Sequence, residues 1–380
     1  MIRGADATVV QRAIAERDPL PGTSGFAGRV VVTNDHRTAG PQGRNAALVR
    51  DVLGRVPLFV ERDADDPTAD DAWAFDPTAL ADPVAVPAGH CRTATEEERL
   101  WTLPERDLLG DDGTAVDAVR DAITAATADI NSGDTDDAAI AFSGGVDSAL
   151  LAARTDCPLY VAGFEGSHDI EAARSAADLL DRDLTAVEFT HADLERAVPR
   201  IARATGRTNA MDVQIALPLF LTAERVAADG YDRLLVGQGA DELFGGYAKV
   251  ANAPDDHRIE ADTVRGAQRE VIATLPEQLE RDVLTLEAAG VDPVAPLLDD
   301  RVVEVALGLR GDQLVRGEDE RKWALRRAAG EWLPDQIAAR DKKAVQYGTY
   351  AARELDRLAR QDGFKRRMDD HVTKYVESLL

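Results

Sequence analysis

Six consecutive residues, Ser143-Gly144-Gly145-Val146-Asp147-Ser148, follow the apolar run Ala138-Ala139-Ile140-Ala141-Phe142 and precede Ala149-Leu150-Leu151-Ala152-Ala153. The order reads as buried strand, glycine turn, helix start. Such a turn aims backbone N–H groups and a helix N-terminus at one point, which makes an anion site. Gly144 and Gly145 let the backbone approach a phosphate with no Cβ in the way. Ser143 and Ser148 add hydroxyl donors, and Asp147 offers a carboxylate to a Mg²⁺ that bridges phosphates. Taken alone, the hexapeptide also fits an ordinary turn that caps a helix. A second segment narrows the reading. Arg233-Leu234-Leu235-Val236 is another short apolar strand, and it runs into Gly237-Gln238-Gly239-Ala240-Asp241-Glu242-Leu243-Phe244-Gly245-Gly246-Tyr247. Both glycine-rich segments therefore fall at the carboxyl ends of strands, where open α/β sheets bind ligands.

Together these segments resemble the synthetase half of the asparagine synthetase family. Its pyrophosphate loop has the form Ser-Gly-Gly-x-Asp-Ser, and its second site the form Gly-Glu-Gly-(Ser/Ala)-Asp-Glu-x-Phe-Gly-Gly-Tyr. The first motif marks a broad class of ATP pyrophosphatases; the second is long and specific to this branch. The resemblance implies ATP and Mg²⁺, with ATP held by Phe142, Ser143, Gly144, Gly145, Asp147, Ser148, Ala162 and Gly237. Phe142, Ala162 and Gly237 occupy backbone positions that contact adenine in the family. Asp147 and Asp241 match its metal-binding acids. Arg340-Asp341-Lys342-Lys343-Ala344-Val345-Gln346-Tyr347-Gly348 is similar to the Arg-x-Lys-x loop that closes on pyrophosphate, which puts the family lysine on Lys342. A compact ammonium suits a point contact to phosphate oxygens. Lys322, in Gly317-Glu318-Asp319-Glu320-Arg321-Lys322-Trp323, resembles the family's Gly-Lys-x-x-Lys helix start. Ser167-His168-Asp169 with Ala173 matches its Ser-x-Asp helix start.

Two positions depart from that pattern. Gln238 stands where the family has glutamate; it keeps the shape and hydrogen bonds but cannot accept a proton as a carboxylate does. In Asp292-Pro293-Val294-Ala295-Pro296-Leu297-Leu298-Asp299, Val294 replaces an arginine. ATP binding and adenylation are expected to survive both changes, whereas the choice of acid and amine is open to alteration.

The elements that must position these residues follow from periodicity. Helical spacing from Val116 to Ile130 leads into the first strand. Then come an apolar run at 158–164, a helix from Asp169, a strand at 184–189, helices across 191–205 and 213–228, and the strand at 233–236. Alternating strands and helices predict an α/β fold with a doubly wound parallel sheet; the resemblance makes it adenine nucleotide alpha hydrolase-like. Beyond Tyr247 the sequence reads as almost entirely helical. The first hundred residues carry short β-type runs such as Gly28–Val32 and Val56–Val60, with the acidic stretch 63–71 as a solvated loop. Arg50-Asp51-Val52-Leu53-Gly54-Arg55-Val56-Pro57-Leu58-Phe59 and Val86-Pro87-Ala88-Gly89-His90 resemble turns of the family's glutaminase domain. Two domains are expected: an abbreviated β-rich one over 1–100 and a synthetase-like one over 105–380. A glutaminase of this kind uses an N-terminal cysteine whose own amine is the base. Here Met1 is followed by Ile2 and the first cysteine is Cys91, so glutamine hydrolysis is not expected. Ammonia would arrive free or from a separate protein.

Composition sets outer bounds. The chain has 380 residues, is 44% hydrophobic, and carries a formal charge of −25 with only six lysines. Such an acidic, lysine-poor chain suits a high-salt cytoplasm, where screening removes self-repulsion. It argues against nucleic-acid partners, which need a basic face. No apolar run reaches 18 residues and no secretory pattern opens the sequence, so neither a membrane span nor export is expected. Cys91 and Cys157 read as buried small residues rather than a disulfide. The oligomeric state is left open. The leading expectation is an ATP-dependent, AMP-forming amide ligase that joins aspartate and ammonia through an acyl-adenylate. Its rivals are an adenylating ligase on another carboxylate and amine pair, as in the β-lactam synthetase branch, and a non-catalytic nucleotide-binding partner.

Overall fold

The computed structural model describes residues 1–32, 45–131, 137–253, 260–317, 320–340 and 347–380. Its internal contacts divide the chain into two units. The first comprises Met1–Asp111, Asp241–Glu280 and Leu297–Arg321; the second comprises Asp112–Ala240, Arg281–Pro296 and Lys322–Leu380.

In the second unit, five short strands pair in parallel: β1 (Ala138–Ala141), β2 (Leu159–Gly163), β3 (Leu184–Glu188), β4 (Arg233–Leu235) and β5 (Asp292–Val294). Their spatial order is β3-β2-β1-β4-β5. The connections reverse direction between β1 and β4, which makes this the topological switch point, the place where open α/β sheets bind ligands. All five residues of β2 are buried, as expected for a parallel strand covered on both faces. One covering layer contains the helices His191–Thr205, Ala210–Ala228 (here α3), Tyr347–Gln361 and His371–Ser378. Phe220, Leu217, Val213, Leu355 and Val376 from these helices pack with Tyr160 and Ala162 of the sheet. Helix α1 (Val146–Arg154) follows β1, and α2 (His168–Leu179) follows β2, with Ser167 capping the latter by accepting from the Ile170 N–H.

The predicted parallel α/β sheet is thus present, with one addition. The region past Tyr247 is mainly helical, yet Asp292–Val294 adds a fifth strand, and Val315–Arg316 pairs antiparallel with Glu320–Arg321. β5 tolerates Pro293 because it lies at the sheet edge, where a missing N–H costs no ladder bond.

In the first unit, an antiparallel sheet runs Ile2–Arg3, Ala27–Val32, Asn45–Arg50, His90–Arg92, Glu97–Arg99 in spatial order. A second one runs Trp73–Ala74, Phe59–Glu61, Pro83–Ala85. The strand 45–50 serves two cores by alternation: Ala47 and Val49 face Val10, Phe26 and Trp101, while Leu48 faces Leu58, Val60 and Phe75. The helix Ala7–Glu16, capped by Asp6, closes the first of these cores. Among the described residues no helix is long and apolar enough to cross a membrane. Cys91 and Cys157 are both buried and unpaired.

Candidate nucleotide site

The turn between β1 and α1 is built from its glycines and serines. Gly144 has φ +72°, and a Cβ there would stand 2.7 Å from the Ala172 carbonyl oxygen of α2. Only glycine meets both demands. The Ser143 N–H donates to Ser148 Oγ at 3.1 Å, the two hydroxyl oxygens are 3.2 Å apart, and the Gly145 N–H donates to Ser143 Oγ at 3.4 Å. Gly145 is the N-cap of α1 and brings no side chain to cap it, leaving that task to a ligand or solvent. With Asp147 in its first turn, the end of α1 combines open N–H groups with one carboxylate.

Lys322 reaches the same place from a distant part of the sequence. It begins the helix Trp323–Ala329 with φ +57°, is only 3% exposed, and donates from Nζ to both Asp147 carboxylate oxygens at 2.8 and 2.7 Å. A non-glycine residue held in the left-handed region costs roughly 1–2 kcal/mol. The pair with the half-buried Asp147 carboxylate offsets part of that cost. Sequence reasoning took Lys322, by its resemblance to the family's helix start, as a candidate catalytic residue; the structure buries it beside Asp147.

Gly237 closes the other wall. A Cβ at this position would lie 2.9 Å from the Asp147 Cβ and 3.3 Å from the Ser148 N, so the end of β4 lies directly against α1. The Phe142 N–H donates to the Tyr160 carbonyl oxygen at 2.7 Å, and both Phe142 and Ala162 are buried. Only their backbones are therefore available to a ligand. The structure thus gathers Phe142, Ser143, Gly144, Gly145, Asp147, Ser148, Ala162, Gly237 and Lys322 around the carboxyl ends of β1, β2 and β4. Asp169, in the first turn of α2, has its carboxyl pushed up by burial.

Gln238 follows Gly237 and is half-buried. Its Nε2 donates to Asp282 Oδ2 at 2.5 Å. Asp282 lies on α4 (Leu275–Ala289), is 5% exposed, and accepts from Arg281 Nε at 2.7 Å through Oδ1. Sequence reasoning missed Asp282. The available signal was an Arg281-Asp282 pair inside a helix that is otherwise largely apolar on its buried side.

Asp241 belongs to the first unit, in the short helix Ala240–Leu243, where its carbonyl oxygen accepts from the Gly246 N–H at 2.8 Å. Gly245 turns the chain there with φ +71°, and Tyr247 Oη donates to Glu242 at 2.5 Å. Lys342 lies outside the described residues.

The model of the family described as asparagine synthase matches residues 118–268 and 251–376. A putative asparagine synthetase [glutamine-hydrolyzing] 1 of Methanocaldococcus jannaschii is 32% identical over 281 residues, covering 64% of this chain and 51% of that protein. The nodule asparagine synthetase [glutamine-hydrolyzing] of Pisum sativum is 26% identical over 267 residues, 63% of this chain and 42% of that protein. The chain thus spans about half, or less, of the length of these relatives. With family matches running from residue 118 to 376, most of its length, the chain belongs to the asparagine synthase family.

Proposed function

We propose that the chain is an ATP-dependent, AMP-forming amide ligase whose chemistry is carried by residues 105–380, with the β-rich domain over 1–100 as its smaller neighbour. The observation that carries this reading is the Lys322–Asp147 pair at the uncapped start of α1, beside the carboxyl ends of β1 and β4. A dianionic or trianionic leaving group needs that combination of ammonium, open N–H groups and serine hydroxyls.

In the proposed reaction, a substrate carboxylate oxygen, aspartate's by family resemblance, attacks the α-phosphorus of ATP. The bond to the bridging oxygen breaks and pyrophosphate leaves, its charge met by Lys322, the N–H groups of α1 and the Ser143 and Ser148 hydroxyls. Ammonia nitrogen then attacks the acyl carbon, the acyl–oxygen bond breaks, AMP leaves, and a proton passes from nitrogen to solvent. Phe142, Ala162 and Gly237 supply backbone contacts to the nucleotide, and Lys342 a second ammonium. Asp147 and Asp241 are the proposed ligands of the Mg²⁺ that travels with ATP. No group of three or more candidate metal-ligating side chains exists among the described residues. That fits a Mg²⁺ held mainly by phosphates and water, with at most one or two protein carboxylates.

Ammonia is proposed to come free or from a separate protein. Cys91 supports this: it is buried and its thiol is pushed up to about 11 by desolvation, which leaves little thiolate for nucleophilic attack. The charge of −25 supports a salt-rich cytoplasm as the working medium. A second reading, adenylation of another carboxylate for another amine, is favoured by Gln238 and by Val294 in the edge strand β5. One assay separates the two. Purified protein in molar KCl, given ATP, Mg²⁺, a panel of carboxylic acids and ammonium or glutamine, should release AMP and pyrophosphate in step with asparagine. Turnover confined to another acid supports the second reading, and no turnover on any acid rejects both.

A further inference from the structure

Helix α1 carries the candidate nucleotide site at its first turn, and its last turn borders a cavity of about 580 Å³. The walls are residues 152–156 at the exit of α1, Leu180 and Arg182 between α2 and β3, and Trp332. Residues 152–156 lead into β2 and Arg182 into β3, so the cavity lies at the amino edge of the sheet, opposite the turn 143–148. One guanidinium holds the wall in shape. Arg182 donates from Nη1 to the Ala152 and Thr155 carbonyl oxygens at 2.6 and 2.9 Å, and from Nη2 to that of Cys157 at 2.6 Å. Thr155 Oγ1 donates to the Leu151 carbonyl oxygen at 3.0 Å. The Arg154 guanidinium lies over the Trp332 ring, 4.9 Å from its centroid, and its Nε donates to Thr127 Oγ1 at 3.4 Å. A guanidinium stacked on a ring keeps its donors at the edge of the fork, where a carboxylate can take two of them. Asp156, also in the wall, is exposed.

The lining thus carries both signs of charge. A simple anion would gain Arg154 but meet Asp156 and the negative end of α1. A simple cation would meet Arg154 and Arg182. A molecule with a carboxylate and an ammonium on one carbon answers both, and the volume falls within the roughly 300–1,000 Å³ typical of small-molecule sites. We propose that this cavity is a binding site for a free α-amino acid. Its carboxylate would sit on Arg154, its ammonium on Asp156 and the carbonyl end of α1, and its side chain against Trp332 and Leu180. The site is distinct from the nucleotide site and does not rest on the ligase reading.

The test titrates the full chain, without nucleotide, with each of the common L-amino acids, and with acetate and ethylammonium as single-charge controls. Tryptophan emission should change saturably with at least one amino acid and with neither control, and W332F should lose that signal. Calorimetry on the same amino acid reads the affinity. R154Q should raise its Kd about tenfold, the scale of one charge-assisted contact, and the exposed D156N should raise it less. A153L fills the cavity without touching its charges; it should abolish binding and leave carboxylate-dependent exchange of pyrophosphate into ATP at the wild-type level. Should R154Q fail to fold, A153L and D156N decide. A response to no amino acid, an equal response to acetate or ethylammonium, or undiminished binding by A153L overturns the inference. Absence of exchange in the wild type overturns the ligase reading alone.

Discussion

The two units bury charge to different ends. In the first, Arg55 pairs with Asp51 at 2.9 Å and with Asp300 at 2.8 Å, and its Nη1 also donates to the Leu298 carbonyl oxygen at 2.7 Å. Asp51 takes the N–H groups of Phe26, Leu53 and Arg55, and Asp300 takes those of Gly22 and Thr23. These charges are committed to one another and to backbone, and they tie segments far apart in sequence. In the second unit, Lys322–Asp147 and Gln238–Asp282 each join one buried and one half-buried group, and they stand at strand ends beside a helix start whose N-cap glycine brings no side-chain cap. Burial and a strong partner therefore do not mark a functional site by themselves. A neighbouring helix start, whose first N–H groups have no intrahelical partner and whose N-cap is glycine, makes the distinction.

That contrast can be broken by substitution. The largest expected effect is on stability in the first unit: Arg55→Ala leaves Asp51 and Asp300 buried without their cation and should cost about 3–5 kcal/mol in denaturant unfolding. A loss under about 1 kcal/mol would mean the network is not what joins those segments. Next, Lys322→Ala should lower kcat/KM for amide formation on the order of 100-fold, the scale of losing one preorganised charge contact. Its melting temperature should fall less than that of Arg55→Ala; the reverse ranking would make Lys322 structural. Gly144→Ala forces a Cβ into the Ala172 carbonyl at a left-handed backbone position, so ATP affinity should drop and stability should fall by roughly 1–2 kcal/mol. Calorimetric ATP titration with a matching unfolding curve reads both.

The smallest effect sharpens the contrast from the periphery. The Asp356 carboxyl is held well below the ordinary carboxylate range, first by Arg366, then by His371 and Arg360. A depressed folded pKa contributes stability that is complete above the unfolded value of about 3.9 and is lost as pH falls through the folded one. Asp356→Asn should therefore cost about 1 kcal/mol at neutral pH. The gap from wild type should close in strong acid, with amide formation unaffected throughout. A gap that persists in acid would point to packing instead.

The sequence made much of the second unit legible, for physical reasons. Apolar runs bounded by glycine turns define β1, β2 and β4, and a strand end followed by Ser-Gly-Gly admits few other structures. β5 escaped because Asp292-Pro293-Val294 is three residues long and contains a proline, which only an edge position allows. Lys322 was visible as a motif, but its burial was not, because its partner Asp147 lies 175 positions away. Asp282 had no motif at all: a buried carboxylate is recognisable only once the neighbours that hold it are placed. The Ala7–Glu16 helix was obscured by the β-type runs that surround it.

The central claim is that the turn 143–148 and Lys322 receive the triphosphate of ATP. The most direct measurement is a crystal structure with Mg²⁺ and a non-hydrolysable ATP analogue. The account predicts phosphate oxygens within about 3 Å of the open N–H groups of α1, with Lys322 Nζ donating to one of them. A triphosphate bound away from the carboxyl ends of β1 and β4, with Lys322 untouched, would contradict it.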